Sequence, residues 1–598
     1  MKKKLTTILL TTTSSLLLLT ACSAQKTDNT ASNPTSTISS GDVKTTLSKI
    51  DNTKWKYNSS DNVYYQVGIS YAANKTSDNQ TLSIFVPGEY LTATDNGDGT
   101  YTATFNTDAK VGNYTSKTAP VVIPINTPGY SSMAALTDYS NEAATYTKEG
   151  FIYVSAGLRG RDSGAPAGVT DAKAAIRYLR YNNELVGSSN SIYVYGMSGG
   201  GAQSAILGAS GDSELYTPYL KEIGAVEGVS DSVDGVMAWC PVTNLDYANE
   251  AYEWKMGSAR ENLSDDSQKL SNSLATEFAN YINKLNLKDG NGNTLNLSES
   301  SSGIYQSGSY YDYIKSTIED SLNKFIEDTT FPYTPSSSGG MRGPGGGTRS
   351  GGAPGGVSRS TPGGTPPSNN SNSSESNSSS STPIEQRDNV KRNNSSSGLT
   401  LSGTYNSVED YIAALNKNKT WVTYDSNTKK VSITSVADFV SQLKTPSKDL
   451  PAFDALDKSQ AENQLFGYNS KGAHFDSTLA NLLKDTDYYN SYKEDLEKTD
   501  SVGNKVQTRV DMYNPMYYLT NYYQGYKKST VAKNWRIRTG INQGDTALST
   551  EVNLSLALKQ YGDLNVDFET VWGQGHTEAE RTGKSSTNFI EWVKSNNK

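Results

Sequence analysis

The stretch Tyr193-Val194-Tyr195-Gly196-Met197-Ser198-Gly199-Gly200-Gly201-Ala202-Gln203 constrains this chain more than any other. An apolar, β-branched run passes directly into a serine flanked by glycines and then into helix-forming residues. That order predicts a strand, a sharp turn and a helix in immediate succession. The same rhythm recurs around it. Residues 120–126, 151–156, 191–196 and 233–240 are apolar runs of strand length, 171–182 has the spacing of an amphipathic helix, and 535–538 and 566–572 supply two late strands. Strands alternating with helices predict the α/β class with a mostly parallel sheet, because parallel neighbours need crossover connections. Two earlier runs, 63–69 and 81–87, read as antiparallel strands, and Asp95-Asn96-Gly97-Asp98-Gly99 carries the residues of a tight hairpin turn.

Between 251 and 533 the rhythm breaks. Helical spacing at 268–286 and 310–326 predicts a large, mainly helical lid inserted into the sheet domain, which leaves 46–250 and 534–598 as the two parts of the core. Within the insertion, 335–397 is so rich in Gly, Ser, Pro and Asn that it is expected to be disordered, a solvated spacer. Asp289-Gly290-Asn291-Gly292-Asn293 begins like a calcium loop, but Thr294 and Ser300 stand where the loop needs Gly and Glu, so a plain turn is expected and no metal.

A serine hydroxyl attacks esters only when held out at a strained turn beside a base, and the frame around Ser198 is built for that. Gly199, opening the helix, is placed to offer its amide to an oxyanion; a second amide is expected from Gly129 or Tyr130, in the loop after strand 120–126. The chain has 2 histidines, His474 and His576. His474 falls in the insertion and His576 on the loop after the last strand, so His576 is the expected base. Asp545 is the only carboxylate on the loop after the preceding strand and is the expected triad acid, with a helix N-cap as its alternative role. Ser, Asp and His in that order resemble the α/β-hydrolase fold, whose chemistry needs no cofactor.

The first residues carry Lys2, Lys3 and Lys4, an apolar stretch and then Leu19-Thr20-Ala21-Cys22, which resembles a bacterial lipoprotein signal. It implies a signal over 1–22, lipidation at Cys22, a flexible tether over 23–45 and residence on the extracellular face of a bacterial cell membrane, with the membrane as a partner. Cys240 is the only other cysteine, so no intramolecular disulfide framework is expected. A net charge of -8 disfavours a polyanionic partner such as nucleic acid. Tyrosines number 39 against 12 phenylalanines, a bias that suits a surface for aryl or carbohydrate ligands.

Several further blocks, in order, resemble the bacterial tannases and related esterases. They are Gly157-Leu158-Arg159-Gly160-Arg161-Asp162, the serine turn, Trp239-Cys240-Pro241-Val242-Thr243-Asn244-Leu245-Asp246, Pro451-Ala452-Phe453-Asp454, Glu462-Asn463-Gln464-Leu465-Phe466-Gly467, Asn514-Pro515-Met516-Tyr517-Tyr518-Leu519 and Trp535-Arg536-Ile537-Arg538-Thr539-Gly540. The resemblance implies a serine esterase acting on galloyl or related hydroxy-aryl esters. It also implies that Lys448 and Glu462 of the lid, with Asp545, hold the phenolic hydroxyls of a small aryl ester. By residue chemistry alone Lys448 and Glu462 make an ordinary ion pair. In the family the triad acid lies two positions before the gallate-binding aspartate, and a gap-free match sets Gln543 there. Asp545 is then expected to serve as the acid as well, or turnover has been lost and the chain binds phenolics or glycans. A feruloyl or acetyl-xylan esterase is the nearer alternative.

Overall fold

The computed structural model describes residues 43–186, 191–301, 303–335, 399, 401–444, 446–468 and 470–597. The expected signal at 1–22 with Cys22, the expected tether up to Asp42 and the expected spacer from 336 onward lie outside these residues. The expected tether ends sooner than 45, because Lys44 already exchanges backbone hydrogen bonds with Glu227.

Nine strands form the central sheet: β1 (Lys56–Asn58), β2 (Val63–Ser70), β3 (Thr81–Pro87), β4 (Val121–Pro124), β5 (Ile152–Ala156), β6 (Ile192–Met197), β7 (Gly235–Trp239), β8 (Asn534–Gly540) and β9 (Asn565–Val571). Their spatial order is β1-β2-β3-β5-β4-β6-β7-β8-β9. The first three strands and the β3–β5 contact are antiparallel; from β5 onward every neighbour is parallel. This is the mostly parallel α/β-hydrolase sheet expected from the rhythm of the chain. β4, β5, β7 and β8 are buried along their whole length, as strands covered on both faces must be.

Helices cover both faces. On one lie α1 (Asn141–Thr147) and α5 (Ser585–Asn596), whose Tyr146, Phe589 and Trp592 pack on Tyr153, Tyr193 and Tyr195. On the other lie α2 (Ala167–Tyr181), α3 (Gly199–Ala209) and α4 (Leu548–Tyr561). Gly208 of α3 sits so close to Val236 and Trp535 that a Cβ there would meet them at 2.3 and 2.9 Å. The tyrosines serve this interior more than the surface: the one large hydrophobic standing out among the described residues is Tyr488. The expected tyrosine-rich surface is therefore not an open face.

The insertion joins the core in one compact unit, Val43–Lys598. Its longest helices, Asp265–Leu285 and Ser309–Asp328, start where helical spacing begins, the first capped by the Ser264 hydroxyl on the Ser267 amide. The Asp289 segment is a turn, closed by the Asp289 carboxylate accepting from the amides of Asn291 and Asn293.

Candidate active site

Parallel register brings the carboxyl ends of four strands to one edge. Met197 of β6 pairs with Trp239 of β7, Trp239 with Arg538 of β8, and Gly540 of β8 with Val571 of β9. The loops that leave these strands therefore meet, and they carry Ser198, Cys240, Gln543 and His576. Ser198 has φ 60° and ψ −123°, a backbone state costly for a residue with a Cβ. It is held by a hydrogen bond from its amide to the Trp239 carbonyl (3.0 Å) and another from the Ala202 amide to its own carbonyl (2.9 Å). Gly200 is required here, since a Cβ would lie 1.9 Å from the Ile125 carbonyl oxygen. Strand β6, the turn and α3 thus force the serine out of the sheet edge.

His576 Nε2 lies 2.8 Å from Ser198 Oγ, and its Nδ1 lies 2.6 Å from Gln543 Oε1. The sequence-based expectation for the acid is corrected here. Asp545 stands at 4.0 Å from Nδ1, its side chain nearly half exposed, while Gln543 makes the hydrogen bond. Asp545 is not a helix cap either: the N-cap of α4 is Ala547, without a side-chain bond.

The Gln543 amide is oriented from behind. Its Nε2 donates to Glu551 Oε1 (2.7 Å) and to Thr539 Oγ1 (2.6 Å), and Thr539 Oγ1 donates in turn to Glu551 (3.2 Å). With the amide nitrogen donating to Glu551 and Thr539, the amide oxygen faces the imidazole. An amide oxygen only accepts, so Nδ1 carries the proton and Nε2 presents its lone pair to the serine hydroxyl. One buried carboxylate on α4 thus sets the histidine tautomer through an intervening amide.

Behind this line the charges are unusual. Burial pushes Glu551 above the ordinary carboxylate range, with Lys255 pulling it back. Lys444 donates from Nζ to the Gln543 carbonyl and is pushed down to about 8 by burial; burial drives Lys255, which makes no hydrogen bond among the described residues, well below the usual lysine value. Cys240 is a free buried thiol, raised to about 11 by burial, whose Sγ donates to the Thr577 carbonyl at 3.2 Å and so anchors the histidine loop. For His576 itself burial favours the neutral ring; Asp545 opposes and Lys448 reinforces that shift, and the net direction is downward.

Of the expected oxyanion donors, Gly199 begins α3, and its Cα faces the Gly129–Tyr130 backbone: a Cβ there would be 2.6 Å from the Tyr130 nitrogen and 3.3 Å from that of Gly129. The Tyr130 amide is already donated to the Thr127 carbonyl (2.9 Å). That engagement takes the Tyr130 amide out of the set of expected oxyanion donors. Arg161 of the first matching block braces this loop, donating to the Gly129 carbonyl and to Gln464 Oε1 of the insertion, both at 2.7 Å.

The insertion delivers Lys448 and Glu462 to the same place. Lys448 Nζ is 3.7 Å from Glu462 Oε2 and 3.9 Å above the Phe453 ring, and both side chains are largely buried, unlike an ordinary surface pair. Glu462 Oε2 makes no hydrogen bond among the described residues, an acceptor left for something else. Ser447 ties this segment to the triad loop through the Gly544 carbonyl (2.6 Å). His474 stays inside the insertion, wholly buried, its Nδ1 on Asp454 Oδ1 at 2.7 Å and its ring stacked on Tyr492. Gln543 was visible in the sequence only as a departure from a family pattern. Glu551, Lys255 and Lys444 carried no signal at all.

Comparison with known proteins agrees with this architecture. The BD-FAE family model matches residues 108–286. Among solved structures, Fusobacterium nucleatum tannase is 26% identical over 91% of this chain and 98% of its own, with a TM-score of 0.63. The native tannin acyl hydrolase of Lactobacillus plantarum is 24% identical over 90% of this chain and 94% of its own, with a TM-score of 0.61. A tannin acyl hydrolase in complex with ethyl gallate is likewise 24% identical, over 89% and 94%, with a TM-score of 0.60. No curated protein matches the chain.

Proposed function

We propose that this carboxylic ester hydrolase cleaves galloyl or closely related hydroxy-aryl esters through an acyl-enzyme. The observation that carries the reading is the unbroken line of hydrogen bonds from Glu551 through Gln543 and His576 to Ser198. Ser198 Oγ attacks the ester carbonyl as its proton passes to His576 Nε2, and the carbonyl oxygen becomes an oxyanion against the amides of Gly199 and Gly129. Collapse of the tetrahedral intermediate breaks the bond to the alcohol, which leaves with the proton from Nε2. Water repeats the cycle on the acyl-serine and releases the acid.

Glutamine can orient the imidazole but adds no charge as the imidazolium forms. In this reading Glu551 supplies the charge at one remove, polarising the amide whose oxygen meets Nδ1–H. Lys448, Glu462 and Asp545 hold the acyl ring. A galloyl ring offers three hydroxyl donors, which suit the open Glu462 oxygen and the Asp545 carboxylate, while the Lys448 ammonium suits a phenolic oxygen. The tannin acyl hydrolase structure with ethyl gallate supports the substrate class by similarity. The signal and Cys22 box support attachment to the outer face of the cell membrane by a lipid anchor; release of a Cys22→Ala variant from the membrane fraction is the expected result.

Rates of the purified enzyme on methyl gallate, methyl ferulate and p-nitrophenyl acetate test the substrate. Methyl gallate should be preferred, and Lys448→Ala and Glu462→Ala should raise its KM about tenfold while changing p-nitrophenyl acetate little. Equal use of all three esters would remove the galloyl reading and leave a general esterase.

A further inference from the structure

The insertion supplies the acyl-ring anchors, and the core holds a cavity that this role leaves unused. About 850 Å³ in volume, it is walled by core residues alone. Three loops at the site lend it a wall: Met197 precedes Ser198, Pro128 precedes Gly129, and Glu578 lies two residues beyond His576. Ser198 and His576 are themselves off its wall, so it is an annex of the site.

Its floor is aromatic. Tyr146 is stacked on Tyr153 with centroids 5.3 Å apart, and Tyr195 lies 5.8 Å from Tyr146. The Tyr195 hydroxyl is buried beside that of Tyr146. Glu142, in the first turn of α1, and Glu578 bring carboxylates to the rim, and neither lysine nor arginine lines it. Aromatic faces with several acceptors and no cation suit a neutral ring that presents many hydroxyl donors, and they repel carboxylates and phosphates.

We propose that this cavity binds the alcohol half of the ester when that half is a hydroxyl-rich ring, either a sugar or a second galloyl group. The proposal rests on the galloyl-esterase reading. It divides the substrate between two places, the acyl ring held by Lys448 and Glu462 of the insertion together with Asp545, and the leaving group received by a cavity walled by the core alone. Proton delivery from His576 Nε2 to the departing oxygen requires the alcohol to lie beside the histidine loop, whose Glu578 is on the cavity wall.

The test compares kcat and KM for methyl gallate, galloylglucose, methyl digallate and galloylcholine in the wild type and two variants. Ala134→Trp fills the cavity from an exposed position on its wall, and Glu142→Gln removes a rim charge. Ala134→Trp should raise KM for galloylglucose or methyl digallate about tenfold more than KM for methyl gallate, with Glu142→Gln acting in the same direction by about threefold. The ester that responds more identifies the ring. Equal factors for all esters would overturn the proposal, as would a selective response of galloylcholine, which would make the cavity a cation cage. Wild-type inertness on methyl gallate would remove the galloyl reading and this proposal with it, whereas good turnover with no selective KM change removes this proposal alone.

Discussion

The two histidines of this chain sit in regions built on opposite principles. His474 has the carboxylate partner usual for a catalytic imidazole: Asp454 Oδ1 bonds its Nδ1, while Oδ2 of the same carboxylate takes the amides of Phe475 and Asp476. Its other nitrogen has no hydrogen-bond partner among the described residues. His576 has a neutral amide at Nδ1 and a serine hydroxyl at Nε2. A carboxylate beside a histidine is therefore no mark of chemistry here. One pair closes a polar core inside the insertion, and the other sets its second nitrogen against the Ser198 hydroxyl at a strained turn.

Breaking the working region should have the largest effect. Ser198→Ala is expected to lower turnover of methyl gallate a thousandfold or more with an unchanged circular-dichroism melting curve. A mutant that kept wild-type kcat would place the chemistry elsewhere.

Next comes the charge behind the amide. Glu551→Gln retains a carbonyl acceptor for Gln543 Nε2 and deletes the carboxylate, so kcat should fall about ten- to a hundredfold while KM moves little. Were kcat to stay level, the line would be a matter of orientation alone.

For the contrasting region, Asp454→Asn should act on stability first. An amide nitrogen replaces one acceptor among the donors of His474, Asn463, Phe475 and Asp476, at a cost of about 2–4 kcal/mol. Thermal unfolding should come earlier, with kcat near wild type at low temperature. Loss of activity without loss of stability would contradict the structural role given to His474.

The smallest effect is expected at Asp545, and it is one of pH. In the proposed mechanism neutral His576 is the base, and its pKa is shifted downward, so the acid limb of kcat/KM should lie below the ordinary imidazole value. Asp545 is the carboxylate that holds this pKa up, hence Asp545→Asn should move the limb further to acid, with kcat down only about twofold to fivefold. A limb moving toward neutral pH would reverse the sign of this electrostatic argument.

Much of this molecule was legible in the order of its residues. Parallel strands buried on both faces are short apolar runs, and β4 to β9 were found within a residue or two because that signal is local. Ser198 was legible for the same reason: strand, glycine turn and helix are contiguous, and Gly200 is dictated by a carbonyl against the turn. His576 followed from scarcity and from its place after the last strand. The approach of Lys448 and Glu462 to the site came from family likeness and had no local signature. Asp545 was misjudged because a carboxylate on the right loop outweighed an amide two positions earlier.

Only the folded chain could decide between those two. In sequence Glu551 is an acidic residue in the first turn of a helix, a position that ordinarily means a solvated end of the helix dipole. Packing of α4 against the sheet and the insertion buries it wholly, eight residues beyond the amide it orients, beside two lysines from distant segments. Periodicity and turn chemistry are written along the chain and survive as pattern. Desolvation and the pairing of charges depend on what else arrives in the same volume, and for the hydrogen-bond partner of His576 that was settled by tertiary packing.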